Sequence, residues 1–232
     1  MTYNVQVKNI IVGAAALYVS VKNSADDPTF LGASGQTIVG LPSALTANSP
    51  AGPSFDADTA NWRGVGFTEG GVNVSYEPTF GEVPVDQLLD AAVLFKSALK
   101  VVVKTGLAEA TLTNLIVAWG QKSSSLSSAV GGTPPGAPDA ADSEELSIAG
   151  GALGDAPVER SVVFIGPAPK NVAGGKRERL YQLRRALNVT TSAFDLKKDA
   201  ATNIPVELRV LQDPYYSGKE YGIIRDRDVT AT

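Results

Sequence analysis

The chain reads as a mainly β protein, a sandwich or open barrel with one packed helix. Two observations predict this. Apolar and polar residues alternate with period two at 72–77, 99–104 and 206–210, the signature of strands with one buried face. A single segment, 109–119, carries its apolar residues at helical spacing instead.

The elements follow in order. Residues 10–19 are apolar, with Lys8 the only basic residue ahead of them. The stretch is too short to span a bilayer and poorly flanked for a signal peptide, so it reads as a buried first strand. From 23 to 61, Asp26, Asp27, Pro28, Gly32, Gly35, Pro42, Pro50, Gly52 and Pro53 break any period, which predicts a long loop. Gly64, Gly66, Gly70 and Gly71 precede the strand at Val72. A phosphate-binding loop needs a preceding strand, a following helix and a Gly-Lys-Ser/Thr ending, so these glycines read as a turn or bulge.

Residues 88–95 are apolar with ambiguous period, and 99–104 form a strand ending before Gly106. In 109–119, Leu112, Leu115, Ile116 and Trp119 share a face, Thr111 is a candidate N-cap and Gly120 a natural stop. So short a helix does not persist alone in water, and its stripe must lie on the sheet. Residues 123–157, with Gly131, Gly132, Pro134 and Pro135, predict an exposed loop or arm carrying a short strand near 146–148. The β-branched and aromatic run 161–165 suits a central strand, with Pro167 and Pro169 forcing a turn after it. Residues 180–189 fit either class: Leu180, Leu183 and Leu187 a helix, Tyr181, Leu183, Leu187 and Val189 a strand. The strand at 206–210, a turn at Asp213-Pro214 and a last strand at 221–224 close the chain. No segment repeats at a fixed period, which argues against a solenoid or propeller. The expectation is one domain over 1–232, with long loops at 23–61 and 123–157.

Composition narrows function. The 232 residues contain no Cys and no His, which removes thiolate nucleophiles, cysteine zinc sites, imidazole ligands and the commonest general base. Most familiar active sites are excluded, and the expectation is a non-enzymatic protein without cofactor or metal. A net charge of -4 argues against a broad grip on nucleic-acid phosphates. The pairs Asp86/Asp90 and Asp226/Asp228 read as solvated surface charge, since neither has ligand-like loop spacing. The basic concentration at Lys176, Arg177 and Arg179, followed by Arg184 and Arg185, reads as a partner contact. In an unclosed β protein the sheet edges offer unpaired amides and carbonyls, a hazard for a monomer and a device for a polymer.

Three segments of this sequence resemble the core of bacteriophage tail tube (major tail) proteins: Gly66-Phe67-Thr68-Glu69-Gly70-Gly71-Val72-Asn73-Val74-Ser75-Tyr76-Glu77-Pro78, Val85-Asp86-Gln87-Leu88 and Leu107-Ala108-Glu109-Ala110-Thr111-Leu112-Thr113-Asn114-Leu115. The segments 160–164, 180–188, 194–198, 205–212 and 219–224 are similar too, so that the resemblance covers 62–121 and 158–228. It implies a tail-tube-type β-sandwich with one flanking α-helix, whose sheets join into a continuous inner barrel in a hexameric ring. It implies that 180–188 is strand, and that rings stack into the tube of a long non-contractile tail, in the virion, after assembly in the host cytoplasm. The partners implied are further copies of the chain, the tape-measure protein, and the tail terminator and tail-tip proteins, with DNA passing through the lumen without specific binding and no membrane. By analogy Asp26, Asp27 and Phe30 of the first loop make the inter-ring contact. The alternatives are the tube of a contractile tail or secretion-system needle, and a monomeric carbohydrate-binding β-sandwich, which needs a groove of exposed aromatics.

Overall fold

The computed structural model describes residues 11, 13–27, 29–32, 37, 61–87, 89, 91–128, 144–148, 150–170, 175–199 and 201–229. Its strands are β1 (Ala16–Asn23), β2 (Trp62–Gly64), β3 (Thr68–Val83), β4 (Val93–Leu107), β5 (Leu126–Ser128), β6 (Glu144–Leu146), β7 (Arg160–Ala168), β8 (Arg177–Asn188), β9 (Ile204–Leu211) and β10 (Gly222–Asp228), with α1 at Leu112–Ala118. Eight of the strands form an antiparallel sheet in the order β2-β1-β7-β8-β9-β4-β3, with β10 also on β8; β5 and β6 pair separately. The predicted mainly β class and the single flanking helix are both present.

The ambiguous segment 180–189 belongs to β8, buried at Leu180, Gln182, Leu183, Arg184 and Ala186. Its two faces are both covered, which is why its apolar residues show no clean period. The same holds for β1 and β7. Leu17, Val19, Val162 and Phe164 enter one core cluster, while Ala16, Tyr18, Val163 and Ile165 enter a second on the opposite face with Phe30, Trp62 and Leu180. The first cluster also takes Val101 and Val103 from β4 and Val206, Leu208 and Val210 from β9. These strands are not neighbours of β1 and β7, so the sheet curls around its core.

The helix caps that core. Thr111 accepts from the Asn114 amide at 3.2 Å, Gly120 turns the chain at φ +61°, and Val117 and Ala118 are buried in the first cluster. Trp119 stacks on Phe194 at 6.3 Å between ring centroids. Asn114 is buried and donates to the carbonyls of Val65 at 2.8 Å and Glu109 at 2.9 Å, and accepts from Arg63 at 3.1 Å. Gly66 and the pair Gly70 and Gly71 do shape turns: all three have φ near +75°, and the latter two lie inside a bulge between Glu69 and Asn73.

Two boundaries differ from expectation. β7 does not end before Pro167 but runs through it to Ala168, because Pro167 lies beyond the last β1 rung, Ala16↔Ile165, where no ladder on that side is interrupted. The short strand expected near 146–148 is at Glu144–Leu146, paired with Leu126–Ser128. Most of the loop 23–61 and residues 129–143 of the second loop lie outside the described residues.

The sheet also forks. β9 occupies one edge of β8 at 185–188, and β10 continues along the same edge at 177–183. β4 pairs with β9 at 101–107 and then runs on past the end of β9 in the direction that β10 takes. Among the described residues β4 and β10 do not pair, so the two sheets diverge there. Tyr221, packed on the core, stands at the fork and donates to the Leu99 carbonyl at 3.4 Å.

Candidate functional site

Past the fork, β3 and β4 form a two-stranded arm. The ladder runs from Tyr76↔Val101 through Pro78↔Leu99 and Phe80↔Lys96 to Val83↔Val93, with a second bulge between Thr79 and Phe80. At about 3.3 Å per residue the stretch 77–83 reaches roughly 20 Å beyond the body of the sheet. Paired residues in an antiparallel ladder point to the same side, so Tyr76, Phe80 and Leu94 share one face and Val83, Val93 and Phe95 the other.

The sequence pattern predicts a half-buried strand at 72–77, and here the structure differs. Tyr76 is 63%, Phe80 58% and Leu94 63% exposed on one face, and Val83 44%, Val93 55% and Phe95 49% on the other, so neither face of the arm is covered by the described residues. Two-stranded ribbons are marginal in water even without exposed apolar rings. Local contacts hold the arm in shape: Lys96 donates to the Tyr76 hydroxyl at 3.0 Å and lies over its ring, Phe95 lies across Gly81, and Ser97 donates to the Thr79 carbonyl at 3.1 Å. A contiguous apolar surface of this kind marks an interaction site.

The sequence-predicted contacts lie elsewhere. Phe30 is fully buried against Tyr18, Trp62 and Leu180, and therefore offers no contact surface. It anchors the loop across the back of β1 and β7. Asp26 accepts from the amide of Ser124 at 2.9 Å and its hydroxyl at 2.6 Å, and these bonds, together with those from Asn23, hold its carboxyl below the usual range against partial desolvation. Asp27 accepts from the Thr29 amide at 2.7 Å and faces Lys22 at 3.5 Å. Thr37 donates its amide and hydroxyl to the buried Asp213 at 3.0 and 2.7 Å.

Of the basic cluster, Arg177 and Arg179 face Asp228 and Asp226 across β8 and β10, at 3.0 and 2.5 Å, and Arg185 pairs with Glu159 at 2.6 Å. Both aspartates are cross-strand partners of these arginines; Asp228 is exposed, as the sequence suggests, while Asp226 is partly covered. Lys176 is exposed just ahead of β8. Arg184 stacks on Tyr216 with its guanidinium 3.3 Å from the ring centroid. Asp86 is exposed and Asp90 lies outside the described residues.

Among the described residues no group of three acidic side chains is placed to hold a metal ion, and no helix is long and apolar enough to cross a membrane. A hollow of about 360 Å³ at the end of the β3–β4 ladder away from the arm is lined by Glu69, Asn73, Lys104, Asn203 and Glu207, with Lys104 and Glu207 paired at 2.9 Å. No protein-family model matches the chain, and no curated protein is significantly similar to it in sequence.

Proposed function

We propose that this chain is a structural subunit that polymerises, as stacked hexameric rings, into the tail tube of a long-tailed bacteriophage, the conduit through which DNA leaves the virion. The observation that carries the polymeric reading is the β3–β4 arm. It exposes apolar side chains on both faces and, among the described residues, carries a strand edge without a partner, a surface suited to a contact with another protein surface. The resemblance of 62–121 and 158–228 to tail tube proteins supplies the identity of that polymer and its sixfold ring. The curled antiparallel sheet with one flanking helix is compatible with the sandwich which that resemblance implies.

A contact between two different surfaces of identical subunits closes into a ring when its rotation divides the circle, and stacking then lengthens rings into a tube. A net charge of -4 suits a lumen that lets DNA slide, because DNA held through many phosphate contacts would not be released. The tube of a contractile tail or secretion needle would use the same arm, and co-purification with a sheath protein would favour it. A monomeric carbohydrate-binding module is disfavoured, since Trp62 is buried in the core and Trp119 is packed against Phe194.

The test is electron microscopy of the purified protein over a concentration series, beside a variant whose arm is cut. Glu77 and Lys100 face each other in the ladder, so an Asn-Gly turn in place of residues 78–99 closes a regular hairpin. Wild type should form rings or hollow tubes as concentration rises, and the shortened chain should stay a folded monomer. Tubes from the shortened chain, or monomers from wild type at every concentration, would remove the support for this reading.

A further inference from the structure

We infer that the free β4 edge of the arm in one copy takes the outer edge of β10 in the next copy as its strand partner. The inference rests on the polymeric reading above and specifies which surfaces join.

It starts from the fork. Beyond β9, β4 presents residues 93–100 with no strand against them on the side away from β3, and β10 presents 222–226 with no strand on the side away from β8, among the described residues. Tyr221, just ahead of β10, packs on the first core cluster and places its hydroxyl on the Leu99 carbonyl of β4. Each edge is left with alternate amides and carbonyls pointing outward, and a strand from a second copy satisfies them.

The other edges are poorer candidates. β2 has only three residues. The outer edge of β3 contains Pro78, which has no amide to donate, and is broken by the bulge between Glu69 and Asn73. These are the devices that blunt an edge against pairing. Residues 93–100 and 222–226 contain no proline; β10 pairs with β8 without a register shift, and the β4 stretch carries one bulged residue, Ser97, opposite the Thr79–Phe80 step. The side chains also suit one another. The β4 edge carries the exposed Val93, Leu94 and Phe95, while β10 carries the exposed Ile224. Glu82, beside Leu94 on the arm, and Arg225 on β10 are exposed and opposite in charge.

Because the two edges differ, the contact is heterologous. Each copy has one of each, so the pairing repeats from copy to copy instead of ending at a dimer.

The natural absence of cysteine makes the test clean. Single-cysteine chains at Leu94, Phe95 or Lys96 are mixed with size-tagged single-cysteine chains at Ile223, Ile224 or Arg225, assembled and oxidised. A disulfide forms only where Cα atoms approach within about 7 Å, so a crosslink reports strand adjacency. The expected result is a crosslinked band in at least one mixture and none from either chain alone, together with slowed amide exchange at 93–100 and 222–226 on assembly. Assembled tubes without a crosslink in any mixture overturn the inference while leaving the polymeric reading intact. A crosslink from the Phe95→Cys chain alone overturns it in favour of twofold pairing between arms. Protein that stays monomeric at every concentration overturns both.

Discussion

Arg179 and Asp226 meet side-on across β8 and β10, with Nε 2.5 Å from Oδ1 and Nη2 2.8 Å from Oδ2. The two hydrogen bonds from Arg179 hold the Asp226 carboxyl below its ordinary 3.8, outweighing the opposing desolvation. The pair ties the last strand to the sheet at a position where no apolar side chain of β10 enters either core cluster.

A carboxylate whose folded-state pKa is depressed contributes stability that is complete above its unfolded pKa and lost as pH falls through the folded one. Asp226→Asn should therefore cost about 1 kcal/mol at pH 7, the scale of a well-formed pair with partial solvent access. The difference from wild type should shrink as pH falls below 3.8 and the wild-type carboxylate is titrated. Urea denaturation at a series of pH values measures it, and a difference that stays constant down to acid pH would refute the assignment.

Phe30 is an anchor and should behave as one. Phe30→Ala removes a fully buried ring from the cluster around Tyr18, Trp62 and Ile165, at a cost of about 3–5 kcal/mol. Denaturant unfolding of the subunit should show the loss before any assembly is attempted. Asp27→Asn, by contrast, alters an exposed turn and should change subunit stability by less than about 0.5 kcal/mol. Comparable effects from the two substitutions would mean that the Phe30 ring is not what anchors this segment.

How far the fold was legible follows from burial. At β9 the alternation at 206–210 is a direct image of one covered face, since Val206, Leu208 and Val210 are buried and Arg209 is exposed. β8 was illegible because both its faces are covered and Arg184 and Gln182 sit among its buried residues, so no period survives. The arm misled differently. Alternation at 72–77 reports that a face is destined to be covered, yet it carries no information on whether the cover comes from the same chain. The contact role of Phe30 came from analogy with the loops of tail tube proteins, although a lone large ring in a polar loop is itself a signal of an anchor.

The helix offers a graded test of the polar core beneath it. Thr111→Ala removes one N-cap bond and should cost about 1 kcal/mol. Asn114→Leu strips the Val65 and Glu109 carbonyls and one Arg63 contact of their partner at a buried position, and should cost about 3 kcal/mol or more. Thermal unfolding of the two variants should rank them in that order. Equal losses would mean that the cap, and not the buried amide, fixes the helix to β2.

The arm makes the opposite demand, because its residues should matter little to the subunit and greatly to the polymer. Phe80 and Leu94 share a face and are each more than half exposed, so Phe80→Thr with Leu94→Thr should leave subunit stability within about 0.5 kcal/mol of wild type. Each large apolar side chain contributes roughly 1.5–3 kcal/mol when it becomes fully buried in a contact. Since about 1.4 kcal/mol is a factor of ten in an equilibrium constant, the concentration at which polymer first appears should rise at least tenfold. Sedimentation over a concentration series reads that threshold, and Phe80→Tyr with Leu94→Met, which keep the apolar bulk, should hold it near the wild-type value. An unchanged threshold in the threonine pair would show that this face is not the contact, and a large loss of subunit stability would show that the arm belongs to the fold of its own chain.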